Sequence, residues 1–388
     1  NEYEKRRLVE YIKLDQDGNQ LEVLLNCSEE SVSVKEEGEV LFSRRFEQGV
    51  LKKNGTLIRS DISGTQMNAT MRSFPELLDI GIMGQCSAAK AGMCSRVGVE
   101  CYQNAINSNK KNMSLENYET IMKQCKNRVF QVALGGAGDP NKHEFFEEIL
   151  SMTREYGIVP NLTTSGYALL QQEINYIRKY CGAVAVSFYS RIESNQENND
   201  VTIDAIRRFV SSGCKTNIHF VVSDDSIDEA TYRLENEIWP VGIEAIIFIL
   251  YKPVGLGRRE KIVKKDERLA RFLDAAIKKK HFYRVGFDTC FTSALIKYGE
   301  SLEMSSVDAC EAGRFSMYID AEMNAYPCSF DNQLGKYRVS LENKQIEEIW
   351  NGVEFEHFRN IHLQKCNICK DSNICSYGCG LKLGIELC

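Results

Sequence analysis

The sequence predicts an α/β fold: an open, partial (β/α)6 barrel with a β-rich segment before it and a cysteine-rich segment behind it. Three observations carry this. Six apolar runs, "ELLDIGIM", "RVFQVALG", "GIVPNLTT", "GAVAVSFY", "KTNIHFVV" and "EAIIFILY", recur between residues 76 and 251, the last five starting 25–33 residues apart. Helix-like stretches fill the gaps, as in "NKHEFFEEILSMTREY", "LLQQEINYIRKYC" and "TIDAIRRFVSSGC". Of the fifteen cysteines, eight fall in the last hundred residues. Apolar runs that read as buried on both faces, alternating with amphipathic helices, imply a parallel sheet of βα units. Six units fit a TIM-like barrel, and a doubly wound sheet is the alternative.

Before the barrel, residues 1–73 alternate in short bursts such as "LEVLLNC" and "GTLIRSDI", separated by the turn signals "QDGN" and "KNGT". This is a leader of hairpins, either a structural flank or a holder for a partner peptide. The barrel is expected over 74–260, a linking helix and short strand over 261–289, and the cysteine-rich segment over 290–388.

Composition narrows the function. The chain has 388 residues, a hydrophobic share of 43 % and a formal net charge of −6. That charge argues against nucleic acid, which calls for a basic face. No run of eighteen apolar residues would span a membrane. The opening stretch has no apolar signal region, so the expectation is a cytoplasmic protein. There thiols stay reduced, and metal ligation becomes their leading use.

Barrels place their chemistry at the C-terminal ends of the strands. "GQCSAAKAGMCSRVGVECYQ" follows the first strand and carries Cys86, Cys94 and Cys101; "GGAGDP" (135–140) follows the second, "TTSG" the third, "SFYS" the fourth and "YKPVGLG" the sixth. Several small or polar strand ends converging on one face suggest a polar ligand site. The sharpest signal is "CNICKDSNICSYGC", with Cys366, Cys369, Cys375 and Cys379; Cys290, Cys310 and Cys328 lie upstream and Cys388 ends the chain. Eight thiols make two sets of four. Structural zinc and iron–sulfur clusters both fit such sets.

The C-terminal pattern resembles the SPASM domain of radical S-adenosylmethionine (SAM) enzymes: Cys310-x12-Met323-x4-Cys328, then the four-cysteine run, then Cys388. Met323 stands where the family has glycine. The resemblance spans residues 76–388. It implies two auxiliary [4Fe-4S] clusters, one on Cys290, Cys310, Cys328 and Cys379, the other on Cys366, Cys369, Cys375 and Cys388. "LGGAGDP" resembles the family's glycine-rich loop after the second strand, where Gly135 and Gly136 would let backbone approach the amino and carboxyl groups of SAM. Cys86, Cys94 and Cys101 would hold the SAM cluster, because three thiolates leave one iron open. The usual spacing is Cys-x3-Cys-x2-Cys; here the gaps are seven and six residues, and Gly92 and Gly98 would shape the longer loop. Tyr102, Asp139, Ser187, Tyr251 and Pro253 are the further cofactor contacts implied, and Arg191 is a candidate polar contact.

The implied activity is that of a peptide maturase. It uses three [4Fe-4S] clusters and SAM, takes electrons from a reductant such as flavodoxin or ferredoxin, and acts on a ribosomally made precursor peptide. A thioether or carbon–carbon cross-link is the favoured outcome, because it is a net oxidation with an electron to place; peptide epimerisation is the alternative. A non-enzymatic scaffold with four-cysteine zinc sites is the reading from another class. Asn217 and His219 share one face of the fifth strand and read as structural, as do the free thiols Cys27, Cys125, Cys181 and Cys214. No catalytic acid, base or hydrogen donor is evident.

Overall fold

A computed structural model describes residues 74–388 except 127, 130, 190–195, 300–301, 303–306, 308, 363–374 and 376–377. It also describes the backbone of five strands between 22 and 57 and of residues 196–200. Cys27, Arg191, Cys366 and Cys369 lie outside the described residues. The early strands are β1 (Glu22–Asn26), β2 (Ser31–Glu36), β3 (Glu39–Arg45), β4 (Leu51–Lys52) and β5 (Thr56–Leu57). The first three pair antiparallel in chain order, as do β4 and β5.

The six apolar runs form β6 (Leu77–Met83), β7 (Gln131–Gly136), β8 (Val159–Thr164), β9 (Val184–Ser187), β10 (Thr216–Val222) and β11 (Ala245–Leu250). They lie side by side in chain order and pair in parallel throughout. The helices 115–125, 146–155, 171–180, 196–211 and 227–236 connect them. A doubly wound sheet reverses strand order at a switch point. None occurs here, so the winding is that of a barrel. The sheet stays open, continuing past β11 into β12 (Arg284–Phe287) and past β6 into β13 (Ser316–Ile319), β14 (Asn324–Tyr326) and β15 (Val339–Ser340). Both β12 and β13 pair in parallel with their barrel neighbours. The stretch expected as a linker thus supplies a seventh parallel strand, and the cysteine-rich segment is stitched to the first strand of the barrel.

Burial alternates along the strands, which corrects the expectation of runs buried on both faces. Leu78, Ile80, Val132, Leu134, Leu162, Val186, Ile218, Phe220, Ile246 and Phe248 are nearly fully buried. They meet helix residues such as Ile149, Ile177, Phe209, Leu234 and Phe272 in one continuous core. Removing each such side chain from water contributes on the order of 1.5–3 kcal/mol. Between them, Asp79, Ala133, Asn161, Thr163, Ser187, Asn217 and His219 are only partly covered and face the other way, into the barrel. The interior is therefore polar from β6 to the start of β10, with Val221, Ile247 and Ile249 making its far side apolar. Among the described residues no helix is long and apolar enough to cross a membrane.

Two backbone details explain sequence features. Met323, at the family's glycine position, sits in the β13–β14 turn with φ of 62°, a left-handed conformation that glycine adopts without strain. At the β6–β13 seam, a Cβ on Gly81 would lie 2.2 Å from the Tyr318 hydroxyl and 2.9 Å from its ring carbon. Gly81→Ala should therefore lower stability by about 1–3 kcal/mol in chemical denaturation. Tyr318→Phe in the same chain, which removes the nearer atom, should recover part of that loss.

Candidate functional site

The loop after β6 brings Cys86, Cys94 and Cys101 together. Cys86 caps the short helix 87–90, its sulfur accepting from the Ala89 N–H at 3.3 Å. Gly92 turns the chain at φ 75° into a second short helix, 93–96, which carries Cys94. Burial first, then the nearby Cys101 and Cys86 sulfurs and Asp139, push the Cys94 thiol up to about 12. Burial also raises Cys86, against the Ala89 N–H bond that lowers it. The three thiols are thus close enough to repel one another as thiolates, an arrangement a cationic metal centre would stabilise.

Two other strand-end loops hold this one by backbone contact. A Cβ on Gly138 would fall 2.3 Å from the Gln85 carbonyl oxygen and 3.0 Å from the Cys86 Cα. A Cβ on Gly255, at φ +62°, would fall 2.3 Å from the Tyr102 carbonyl oxygen. The Leu256 N–H donates to the Cys101 carbonyl at 3.1 Å. By contrast, a Cβ on Gly135 meets nothing within 4 Å, so that glycine faces open space. Gly136 adopts φ +117° against Met83.

Asp139 ties loops together: it accepts from the Ser165 N–H at 2.8 Å and the Ser165 hydroxyl at 2.5 Å. The Tyr251 hydroxyl donates to Glu100 and accepts from the Arg258 N–H at 2.6 Å, so the loop after β11 is latched beside Cys101. Pro253 lies in that loop, partly buried. Ser187 ends β9 and, through Tyr189, borders the thiol cluster, since Tyr189 and Tyr167 pack there with Ala137. Gly138, Gly255, Glu100, Tyr167 and Tyr189 thus join the residues expected at this site; each stands in or directly after a strand-end stretch, "GGAGDP", "YKPVGLG", "VECY", "TTSG" and "SFYS". Tyr102 lies between the two groups of thiols, with Cys101 and Cys328 both felt at its hydroxyl, and sets its ring 4.8 Å from that of Phe330.

Phe330 belongs to a second site. A cavity of about 40 Å³ is lined by Cys290, Cys310, Cys328, Cys375 and Cys379, together with Lys252, Phe330 and Phe358. The first set of four implied by the resemblance is therefore assembled around one space. Cys375, allotted to the other set, also borders it, while Cys388 is exposed. Burial pushes the Cys310 thiol up to about 12, with Cys379 the next cause. Lys252 donates to Asp288 in an ion pair with the lysine almost wholly buried, and its ammonium lies 4.7 Å over the Phe330 ring. A tetrahedral zinc with Zn–S near 2.3 Å draws its ligands onto one point. Among the described residues no three His, Cys, Asp or Glu side chains close on a single ion in that way.

Cys125, Cys181 and Cys214 are buried at the opposite, N-terminal end of the strands. His219 faces the barrel interior, 3.5 Å from the Thr163 hydroxyl, and burial pulls it down to about 4. The buried Asn217 Oδ1 has no hydrogen-bond partner among the described residues. Because the folded value for His219 lies below the ordinary 6.5, its contribution to stability is complete above pH 6.5 and lost as pH falls through 4. His219→Gln should flatten that acid limb by at most about 3 kcal/mol, and the wild-type imidazole should titrate near 4 by NMR.

Comparison with known proteins agrees with this geometry. Residues 310–375 match SPASM, an iron–sulfur cluster-binding domain. No curated protein matches the chain in sequence. Among solved structures it is similar to Streptococcus suis SuiB bound to the precursor peptide SuiA, at 19 % identity and a TM-score of 0.59, covering 79 % of this chain and 72 % of that one. SuiB bound to S-adenosylmethionine gives 20 %, 0.57, 79 % and 73 %. The protein anSMEcpe with bound AdoMet and Cp18Cys peptide gives 19 %, 0.56, 79 % and 89 %. The chain thus carries a SPASM domain on the mixed α/β, partial-barrel fold that the resemblance to radical SAM enzymes implied.

Proposed function

We propose that this chain is a radical SAM maturase that cross-links a ribosomally made peptide. The observation that carries the reading is the convergence of Cys86, Cys94 and Cys101 at the C-terminal end of β6, clasped by the loops after β7 and β11. Three thiolates would hold a [4Fe-4S] cluster with one iron open. The open backbone at Gly135, followed by Gly136 packed against Met83, suits the amino and carboxyl groups of SAM, and Asp139, Ser187, Tyr251 and Pro253 border the same ground. When bound, this cofactor pair would supply a 5′-deoxyadenosyl radical able to take hydrogen from an unactivated carbon. The chain's own part is to orient the peptide within the polar barrel interior and exclude water.

The auxiliary sites support cross-linking. Cys290, Cys310, Cys328 and Cys379 surround one cavity and would hold a fully thiolate-ligated cluster; Cys366, Cys369, Cys375 and Cys388 are the proposed set for another. Such centres suit the removal of one electron after bond formation. Epimerisation would need a thiol or similar hydrogen donor at the cavity, and the buried Cys181 and Cys214 are at the wrong end of the barrel. Solved structures of similar fold hold S-adenosylmethionine and a precursor peptide, which favours the same ligands here, with a flavodoxin- or ferredoxin-type reductant.

Reconstituted protein should carry about twelve irons per chain, at four per cluster. Replacing Cys86, Cys94 and Cys101 with alanine should bring that to about eight and abolish 5′-deoxyadenosine formation, while the auxiliary visible absorbance persists. With SAM, dithionite and a short precursor peptide as substrate, mass spectrometry should show loss of two hydrogens per modification. An unchanged mass with deuterium taken up from solvent at an α-carbon would establish epimerisation instead.

A further inference from the structure

One ionisable side chain in the barrel has no partner in the fold. Asp79 stands in the middle of β6, with Ala133 of β7 beside it on one hand and Tyr318 of β13 on the other. Its neighbours in sequence, Leu78 and Ile80, are fully buried against the helices, so Asp79 faces the interior. Among the described residues no donor hydrogen-bonds its carboxylate and no lysine, arginine or histidine pairs with it. The charged group that reaches it is Glu311, of like sign, and burial together with Glu311 raises its pKa to about 7. The other titratable groups near it are the Tyr102 and Tyr318 hydroxyls, and its charge is felt at Tyr102. Tyr102 follows Cys101 and packs at a tilt against Phe330, which lines the auxiliary cavity. A carboxylate left unpaired inside a fold is costly unless something else uses it.

We propose that Asp79 is the base that accepts the proton released when the substrate peptide forms its cross-link. This deepens the proposed function and rests on it. The balance is as follows. A substrate C–H gives its hydrogen atom to the 5′-deoxyadenosyl group, and a second substrate group X–H joins that carbon in a new C–X bond. The X–H bond breaks, its proton passing to a carboxylate oxygen of Asp79. A cysteine-ligated iron–sulfur cluster held by Cys290, Cys310, Cys328 and Cys379 would supply the oxidant for the surplus electron. Proton and electron leave the same event, and Asp79 lies on the flank of the barrel where Tyr102 and Phe330 lead to the auxiliary cysteines. An unpaired carboxylate there is free to take a proton, and an acceptor that titrates near neutrality matches what general base catalysis needs.

The test uses the cluster-loaded full chain with SAM, dithionite and a short precursor peptide, and, beside turnover, infrared difference spectra of the same chain without peptide, in which Asp79→Asn should remove a carboxyl that titrates near 7; a carboxyl titration unchanged by Asp79→Asn overturns the assignment. Asp79→Asn should continue to form 5′-deoxyadenosine, now uncoupled from product, while cross-linked peptide falls at least about 100-fold, the lower range for loss of a general base. Wild-type product formation should rise with pH through about 7, and Asp79→Glu should restore product with a displaced pH limb. A purely structural role would lower 5′-deoxyadenosine and product together and leave the limb in place. Equal product from wild type and Asp79→Asn overturns the assignment alone, as does a wild-type profile without the limb should the variant fail to fold. Loss of no hydrogens in wild type overturns the cross-linking reading, and the role of Asp79 with it.

Discussion

The parallel pairing of β13 with β6 is the constraint on which the rest depends. Its register joins Ser316–Ile319 to Leu77–Ile80 residue by residue. β6 leads within a few residues into Cys86, while β13 lies between Cys310 and Cys328. Two cysteine sets far apart in the chain are thereby held to one rigid sheet. Their separation is then set by backbone hydrogen bonds rather than by the thiols themselves, of which Cys94 and Cys310 are pushed up by burial and by neighbouring sulfurs. The seam also explains Gly81, where the Tyr318 hydroxyl occupies the space of a side chain.

Between the two cysteine sets the fold places a short run of groups in contact: Tyr102 beside Cys101, Phe330 against Tyr102, and Lys252 over Phe330. Lys252 is buried with Asp288 as its counter-ion, and Cys290 and Cys328 are felt at its ammonium. A buried pair of this kind is weak evidence for stability, since desolvation offsets the attraction. Its position suggests another reason for its retention. A net negative, thiolate-ligated centre in the adjoining cavity would gain from a fixed cation whose charge does not depend on water.

Much of this was legible in the sequence, and the failures have physical causes. The six strands were visible because most carry an outer set of large apolar residues, as in Leu78, Ile80 and Ile82. The polar interior was there to be read as well, in Asp79 within "LLDIGIM" and in Asn217 and His219 within "TNIHFVV". Those runs were taken as buried on both faces because their apolar majority masks the alternation. The pairing of β13 with β6 spans more than two hundred residues, and no local pattern encodes it. Thiol convergence could be expected from count and loop placement; the backbone clasp by Gly138 and Gly255 could not, since a glycine shows its use only when another chain segment arrives. Tyr251 was expected beside a ligand and is engaged by Glu100 and Arg258, partners brought near by the fold alone.

The contrast between the barrel's two faces bears on its chemistry. The outer face is closed by helices, and its aromatic rings, Phe220, Trp239, Phe248 and Phe272, pack edge to face in series, which makes a stiff wall. Beside the apolar Val221, Ile247 and Ile249, the inner face carries short or polar side chains, with an unpartnered carboxylate at Asp79 and an orphan amide oxygen at Asn217. A fold selected for stability alone would fill such an interior with apolar side chains, as closed barrels do. Leaving it polar, open and bordered by two sets of thiols sacrifices packing on the inner face for room in which a flexible substrate can be held against reactive groups. The rigidity that this substrate lacks is supplied by the aromatic wall behind the strands.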